Sequence, residues 1–227
     1  MTRIEAEKEK PIGLCDKRAY QLLKNKDFLI LVSAGGLQAG VNSGWGGILP
    51  QILKNANFDT NYIGWNGFLT SIIAAVGGWV VSLMADKFFP RAKKVIVVLM
   101  FFGTSAGFLW FSLSMPTPFF STPILSNSIY SITSALFIAS WFQGATDPFF
   151  FELCAEVTYP LPESISGGII VLIYNIGSLM VLGIVPFVNV DWMNSAQTVT
   201  FIICGLTVLL AVKIEYKRSE EELKKNE

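Results

Sequence analysis

The sequence predicts an all-α polytopic membrane protein. Three observations lead there: the length of the apolar runs, their lack of a polar face, and the placement of the basic residues. Of the 227 residues 52% are hydrophobic, and the 15% that are charged gather in blocks. A bilayer core takes about 20 apolar residues per helix. Six stretches reach that length: Phe28–Leu53, Ile63–Met84, Val95–Ser114, Asn127–Phe151, Ile165–Val190 and Ala196–Ile214. A soluble helical core would need apolar stripes backed by polar outer faces, whereas Val95–Ser114 is apolar all round.

The net charge of zero hides an asymmetry. With Met1 on the cytoplasmic side, threading the six spans leaves sixteen of the seventeen Lys and Arg on that side, with Lys54 alone outside. The positive-inside rule then puts both termini in the cytoplasm. Three parts follow: a charged cytoplasmic segment at 1–27, a six-helix transmembrane bundle at 28–214, and a charged cytoplasmic tail at 215–227. The first 27 residues lack the apolar core of a signal peptide.

Several function classes lose their chemistry. There is no histidine, hence no His-based triad, proton relay or His metal ligand. Cys15, Cys154 and Cys204 lack metal spacing, and under the threading none lies outside, so no disulfide is expected. The Gly35-Gly36 and Gly167-Gly168 pairs sit inside apolar spans and are not phosphate loops. The expectation is no enzyme, no cofactor and no metal. Basic residues do not interleave with exposed aromatics, which excludes nucleic acid as a partner. The expected partners are a small-molecule substrate, the lipid bilayer, and an amino-terminal transporter half or another copy of the chain.

Taken in order, residues 1–27 alternate acids and bases and break at Pro11. Tyr20-Gln21-Leu22-Leu23 fits a tyrosine-based sorting pattern, but its closeness to Phe28 equally suits a juxtamembrane helix. The first span carries Gly36, Gly40, Gly44 and Gly47, a smooth face for close helix packing or for a gating helix. Gln38, Asn42, Ser43 and Trp45 stand on the same span. The second opens on Asn61-Tyr62-Ile63-Gly64-Trp65, with aromatics suited to the headgroup level. It ends at Ala85-Asp86-Lys87, followed by Arg91, Lys93 and Lys94. The third holds Trp110, and a proline-rich loop, Met115–Pro123, follows it. The fourth includes Trp141, Gln143, Asp147 and Pro148, which should kink it. The fifth contains Tyr174 and Asn175; the sixth is apolar apart from hydroxyls. At 1.5 Å per residue, Gln38 and Asn175 each lie roughly 15 Å into their spans, near the midplane of a ~30 Å core. Both could face a solute or form an interhelical hydrogen bond.

Between the fourth and fifth spans, Glu152 to Ser164 has carboxylates and no Lys or Arg. Glu152 and Glu156 lie 40° apart around a helix and share a face, with Asp147 opposite Glu156. Like charges one turn apart repel. The pair could carry a coupling proton, or bind Arg91, Lys93 or Lys94 as a gate latch. Asp86 could likewise face the amino-terminal end of the fifth span near Ser166.

The run F-E-L-x-A-E-x-T-Y-P-x-P-E-x-x-S-x-G, from Phe151 to Gly168, resembles the junction between the tenth and eleventh helices of solute carrier family 49, in the major facilitator superfamily. GGLQAG with GWGGILPQIL resembles the opening of the seventh helix in the renal-carcinoma-type branch of that family. The resemblance covers about residues 20 to 214. It implies six transmembrane helices equivalent to helices 7–12, the C-terminal half of a twelve-helix fold built from inverted three-helix repeats, with the substrate cavity between halves. The candidate substrate-binding residues are Gln38, Asn42, Trp45, Tyr174 and Asn175, and the candidates for coupling or gating are Glu152, Glu156, Asp86, Arg91 and Lys93. Asn175 falls where the haem- and choline-transporting branch carries a glutamine, and Ser43 where it carries a tyrosine. The implied activity is transport of a small organic solute by proton-coupled symport, the solute being B6 vitamer-like, choline or haem. The implied location is the lysosomal membrane, with the plasma membrane as the alternative. A truncated, non-transporting chain that binds or regulates a full-length transporter is the rival reading.

Overall fold

The computed structural model describes residues 20, 22–88, 92–116 and 122–213. These form six long helices and no strand: α1 (Lys26–Asn55), α2 (Thr60–Phe88), α3 (Lys93–Leu113), α4 (Ile129–Thr158), α5 (Glu163–Ile184) and α6 (Val190–Ala211). The side chain of Asp86, Arg91 and the segments 1–19 and 214–227 lie outside the described residues, as do Cys15 and Gln21 of the sorting-like pattern.

Local sequence explains most boundaries. Asn25 caps α1, its side-chain oxygen accepting from the Phe28 N–H at 3.2 Å, which satisfies one of the orphan donors of the first turn. Ser128 does the same for α4 through the Ser131 N–H. Helix α1 ends in a turn with Asn57 at φ 64, a left-handed position that asparagine tolerates. Boundaries differ from expectation at two places: α4 runs on past Phe151 to Thr158, and the fifth and sixth helices are divided earlier than expected. Val185–Phe187 tightens into a single 3-10 turn at Pro186, and Asn189 then caps α6 through the Asp191 N–H. The fifth helix therefore stops short of Val190 and the sixth begins before Ala196, because proline cannot donate to the helix ladder. Helix α4, by contrast, runs on through Pro148.

Four of the six helices are long and apolar enough to cross a membrane: Thr60–Ala85, Lys93–Leu113, Glu163–Phe187 (through the 3-10 turn) and Asp191–Ala211. The other two, α1 and α4, are the longest but carry Gln38, Asn42, Gln143, Asp147, Glu152 and Glu156. Both are packed on more sides than α5, where only Ser166 and Ile170 are buried.

The packing exchanges helices between two triplets. The first helix of each triplet lies against the other triplet: α1 packs on α5 and α6, while α4 packs on α2 and α3. The third helices, α3 and α6, meet each other. Two matched crossings result. A Cβ on Gly40 would come within 2.5 Å of the Gly177 carbonyl oxygen, joining α1 to α5. A Cβ on Gly78 would come within 2.5 Å of the Gly144 carbonyl oxygen, joining α2 to α4. That carbonyl is the one Pro148, four residues on, cannot bond.

Candidate functional site

One end of the bundle gathers the ionic contacts. The starts of α1 and α3 meet the ends of α4 and α6 there. Asn25 donates to the Val157 carbonyl at 3.1 Å, and the Lys213 N–H donates to Asp27 at 2.9 Å. Lys94 Nζ donates to the carbonyls of Leu209 and Val212 at 2.8 and 2.7 Å, at the carboxy-terminal end of α6 where a cation is favoured. Lys93 Nζ lies 3.1 Å from Glu152 and 3.8 Å from Glu156. Among the described residues, Lys93 thus reaches both glutamates on the face they were expected to share. A hollow of about 320 Å³ adjoins them, lined by Phe151, Glu152 and Glu163 among others.

The α1–α6 contact is polar and antiparallel. Gln197 Nε2 donates to Asn42 Oδ1 at 2.7 Å, Trp45 Nε1 donates to Asn194 Oδ1 at 2.9 Å, and the Cys204 thiol donates to the Ala34 carbonyl at 3.2 Å. The Trp45 ring is held edge-on by Phe108 at 4.8 Å and Phe111 at 5.6 Å. Gln38 lies one turn earlier on α1 and is buried, its Oε1 without a hydrogen-bond partner among the described residues.

Between α1, α2 and α4 opens a concavity of about 390 Å³. Its polar lining includes Asn42, Trp45, Thr70, Ser71, Gln143 and Asp147. The volume is within the range of small-molecule sites. A hollow of similar size along Thr60–Phe68 is lined by no titratable group and faces outward from α2, so the inner concavity is the stronger candidate.

Of the residues expected to bind substrate, Asn42 and Trp45 come together at this concavity. Tyr174 stands apart on α5, its ring 5.9 Å from that of Phe150 and 6.1 Å from that of Phe151, with its hydroxyl unpartnered among the described residues. Asn175 is exposed on α5 and donates to the Val171 carbonyl one turn back. Ser43 bonds Ser178 at 3.0 Å across the α1–α5 crossing. Sequence reasoning had not chosen Thr70, Ser71, Gln143 or Asp147. The available signal was Asp147, a lone carboxylate deep in an apolar run.

No family model matches the chain. It is 33% identical over 184 residues to a protein named solute carrier family 49 member 4 homolog from Xenopus laevis, which covers 79% of this chain and 39% of that protein. The Xenopus tropicalis protein of the same name is 31% identical over 183 residues, 78% of this chain and 39% of its own length. An uncharacterised MFS-type transporter of Caenorhabditis elegans is 25% identical over 169 residues, 73% of this chain and 27% of that protein. The chain thus spans about two fifths of the length of the Xenopus relatives it matches.

Proposed function

We propose that this chain, a relative of solute carrier family 49 proteins over part of their length, works as the carboxy-terminal half of a facilitator-type secondary transporter for a small organic solute. The observation that carries this reading is its match to transporter-named relatives over about four fifths of its length. In this reading all six helices cross the membrane as counterparts of helices seven to twelve. Helices α1 and α4 fall below the apolar threshold because they form the inner wall, where polar side chains face a solute path rather than lipid. The exchanged packing of the two triplets supports it, since facilitators are built from paired repeats that rock around a site between halves.

Asn42 and Trp45 then face the solute, and Gln38 and Tyr174, each with a buried polar atom that has no hydrogen-bond partner among the described residues, face it or ordered water. Lys93 with Glu152 and Glu156 acts as a gate latch, because carboxylates already engaged by a lysine are poor carriers of a transported proton. Asp86 and Arg91 serve coupling or gating in this reading. The chemistry is carriage and not catalysis. Both termini lie in the cytoplasm, and the membrane is lysosomal by resemblance.

The deciding experiment reconstitutes residues 1–227 in liposomes, alone and co-assembled with an amino-terminal half, and measures uptake of labelled pyridoxine and choline. Transport is expected only from the assembled halves, because alternating access needs two bundles moving against each other. Uptake by the isolated chain would overturn the half-transporter reading. Topology has its own check. Cysteines introduced at Asn57 and Asn127 should react with an impermeant thiol reagent from the non-cytosolic side, and one at Glu163 from the cytosol.

A further inference from the structure

We propose that the groove between α1 and α6, at the ionic end of the bundle, holds one acyl chain of an anionic phospholipid, with Lys26 and Lys213 at its mouth as partners for the headgroup. The proposal rests on the transporter reading for the leaflet alone, the cytoplasmic one; shape and charge carry the rest.

A groove of about 400 Å³ runs between the two helices. Ala34 and Cys204 form its floor, drawn together where the Cys204 thiol donates to the Ala34 carbonyl at 3.2 Å. Leu37 and Ile203 stand exposed as its rims. Small floor residues between larger rims make the furrow. Thr207 lines it too, but its hydroxyl proton goes to the Ile203 carbonyl at 2.8 Å, so it offers no donor. From Leu29 to Leu37 the groove follows α1 for about 12 Å. That is close to one leaflet of a ~30 Å hydrocarbon core, the depth a single acyl chain fills.

Charge decides which lipid. Lys26 is exposed at the first position of α1, one turn before Leu29. Lys213, also exposed, follows the end of α6, and its N–H donates to Asp27 at 2.9 Å, which brings the two lysines to the same mouth. Asp27 offsets one of these charges. The carbonyls ending α6 would repel an anion, but Lys94 Nζ donates to those of Leu209 and Val212. The mouth therefore keeps an excess of positive charge beside an apolar furrow. Basic groups at the cytoplasmic end of membrane helices attract anionic headgroups, and a free phosphate would leave the furrow unused. The face of α5 is as apolar, with Leu179 and Met180 exposed, but it opens on Glu163 at this end and lacks the cationic mouth.

The test uses the chain 1–227 in detergent micelles, with phosphatidylglycerol and phosphatidylcholine of identical acyl chains added in turn. Native mass spectrometry counts the lipids that stay bound. The first phosphatidylglycerol should bind on the order of fivefold more tightly than the first phosphatidylcholine, the scale of one lysine near an anionic headgroup. Changing Lys26→Gln and Lys213→Gln together should erase that preference. Lys87→Gln, on α2, which does not line the groove, should keep it. Ser33 is exposed within the groove, so Ser33→Phe fills the furrow from outside the core. It should lower phosphatidylglycerol binding to the phosphatidylcholine level although every lysine remains, and it carries the test if the double variant misfolds. Excess glycerol 3-phosphate should displace nothing. Equal binding of the two lipids, a preference that survives loss of both lysines or filling of the furrow, its loss with Lys87→Gln, or displacement by glycerol 3-phosphate would overturn the proposal. The assay requires no transport. Lipid selectivity in a chain that fails every uptake test would leave the groove standing and remove the transporter reading; transport without lipid selectivity would do the reverse.

Discussion

The α2–α4 crossing and the α1–α6 crossing join helices by opposite means. At the first, Gly77 and Gly78 approach the carbonyls of Trp141 and Gly144, and Gly144 in turn lies against the backbone of Ala74. At these glycines the approach is backbone to backbone; side chains join the two helices only nearer their other end, where Tyr62 and Asn66 bond Thr133. At the second, side chains do the joining, through Asn42–Gln197, Trp45–Asn194 and the Cys204 thiol on Ala34. Lipid gives helices no hydrophobic reason to associate, so membrane bundles rely on close backbone packing and on interhelical hydrogen bonds. The difference lies in what can adjust. A backbone seam has no rotamer to yield, whereas a side-chain bond can break and find another partner. The backbone seams recur in matched places, at α1–α5 and α2–α4. At each of them a glycine of one helix lies against a backbone carbonyl of the other, which leaves no room for a side chain.

The largest effect should come from the rigid seam. Gly144→Val would drive a side chain into the Ala74 carbonyl, and only separation of α2 from α4 relieves it. A loss of about 3 kcal/mol, the upper end for overpacking, is expected, read as loss of the monodisperse peak in size-exclusion chromatography. Gly64→Ala is the control. A Cβ there meets nothing within 4 Å, so the protein should remain folded. Equal tolerance of both changes would break the comparison.

Next is the ionic end. Lys93→Met leaves two glutamates one turn apart, with the Glu156 side chain at 0% exposure and that of Glu152 at 33%. Breaking a fully buried pair costs about 3–5 kcal/mol; the exposure of Glu152 lowers the expectation to about 2 kcal/mol. Adding Glu156→Gln should recover most of that in thermal unfolding. A double variant as unstable as Lys93→Met alone would count against the latch.

The polar seam should yield less. A double-mutant cycle on Asn42→Leu and Gln197→Leu should give a coupling of about 0.6 kcal/mol and no more than about 1.7 kcal/mol, the span measured for bonds between membrane helices. Coupling on the scale of the glycine substitution would show the polar seam to be equally fixed. The smallest effect belongs to Ser43→Ala. It removes the bond to Ser178, which keeps a second partner in the Ala39 carbonyl at 3.4 Å. A melting shift at the edge of detection is expected.

Part of this comparison was legible in residue order. Gly36, Gly40 and Gly44 at fourfold spacing announced a smooth face, and that face meets α5. The partner, Gly177, was not legible, nor was the matched role of Gly144, because a lone glycine in an apolar run carries no address. The pairing of Glu152 and Glu156 with a nearby lysine followed from helix geometry and the absence of basic residues in their own segment. That Lys93 reaches both while Lys94 turns to the end of α6 needed the fold. Asn42 and Trp45 were readable as polar and aromatic marks at membrane depth. Thr70, Ser71 and Gln143 were not, because hydroxyls and amides are common in apolar helices.

By itself the sequence determined the helical class, the number of long helices and the clustering of charge at segment ends. Those properties follow from local chemistry, the length of apolar runs and the spacing of small residues, and need no partner to be read. Tertiary structure alone decided that α1 and α4 trade places between triplets and that their polar residues divide between a bonded seam and an open concavity. Each of these depends on which helix lies alongside, and residues brought together from separate helices leave no local signature.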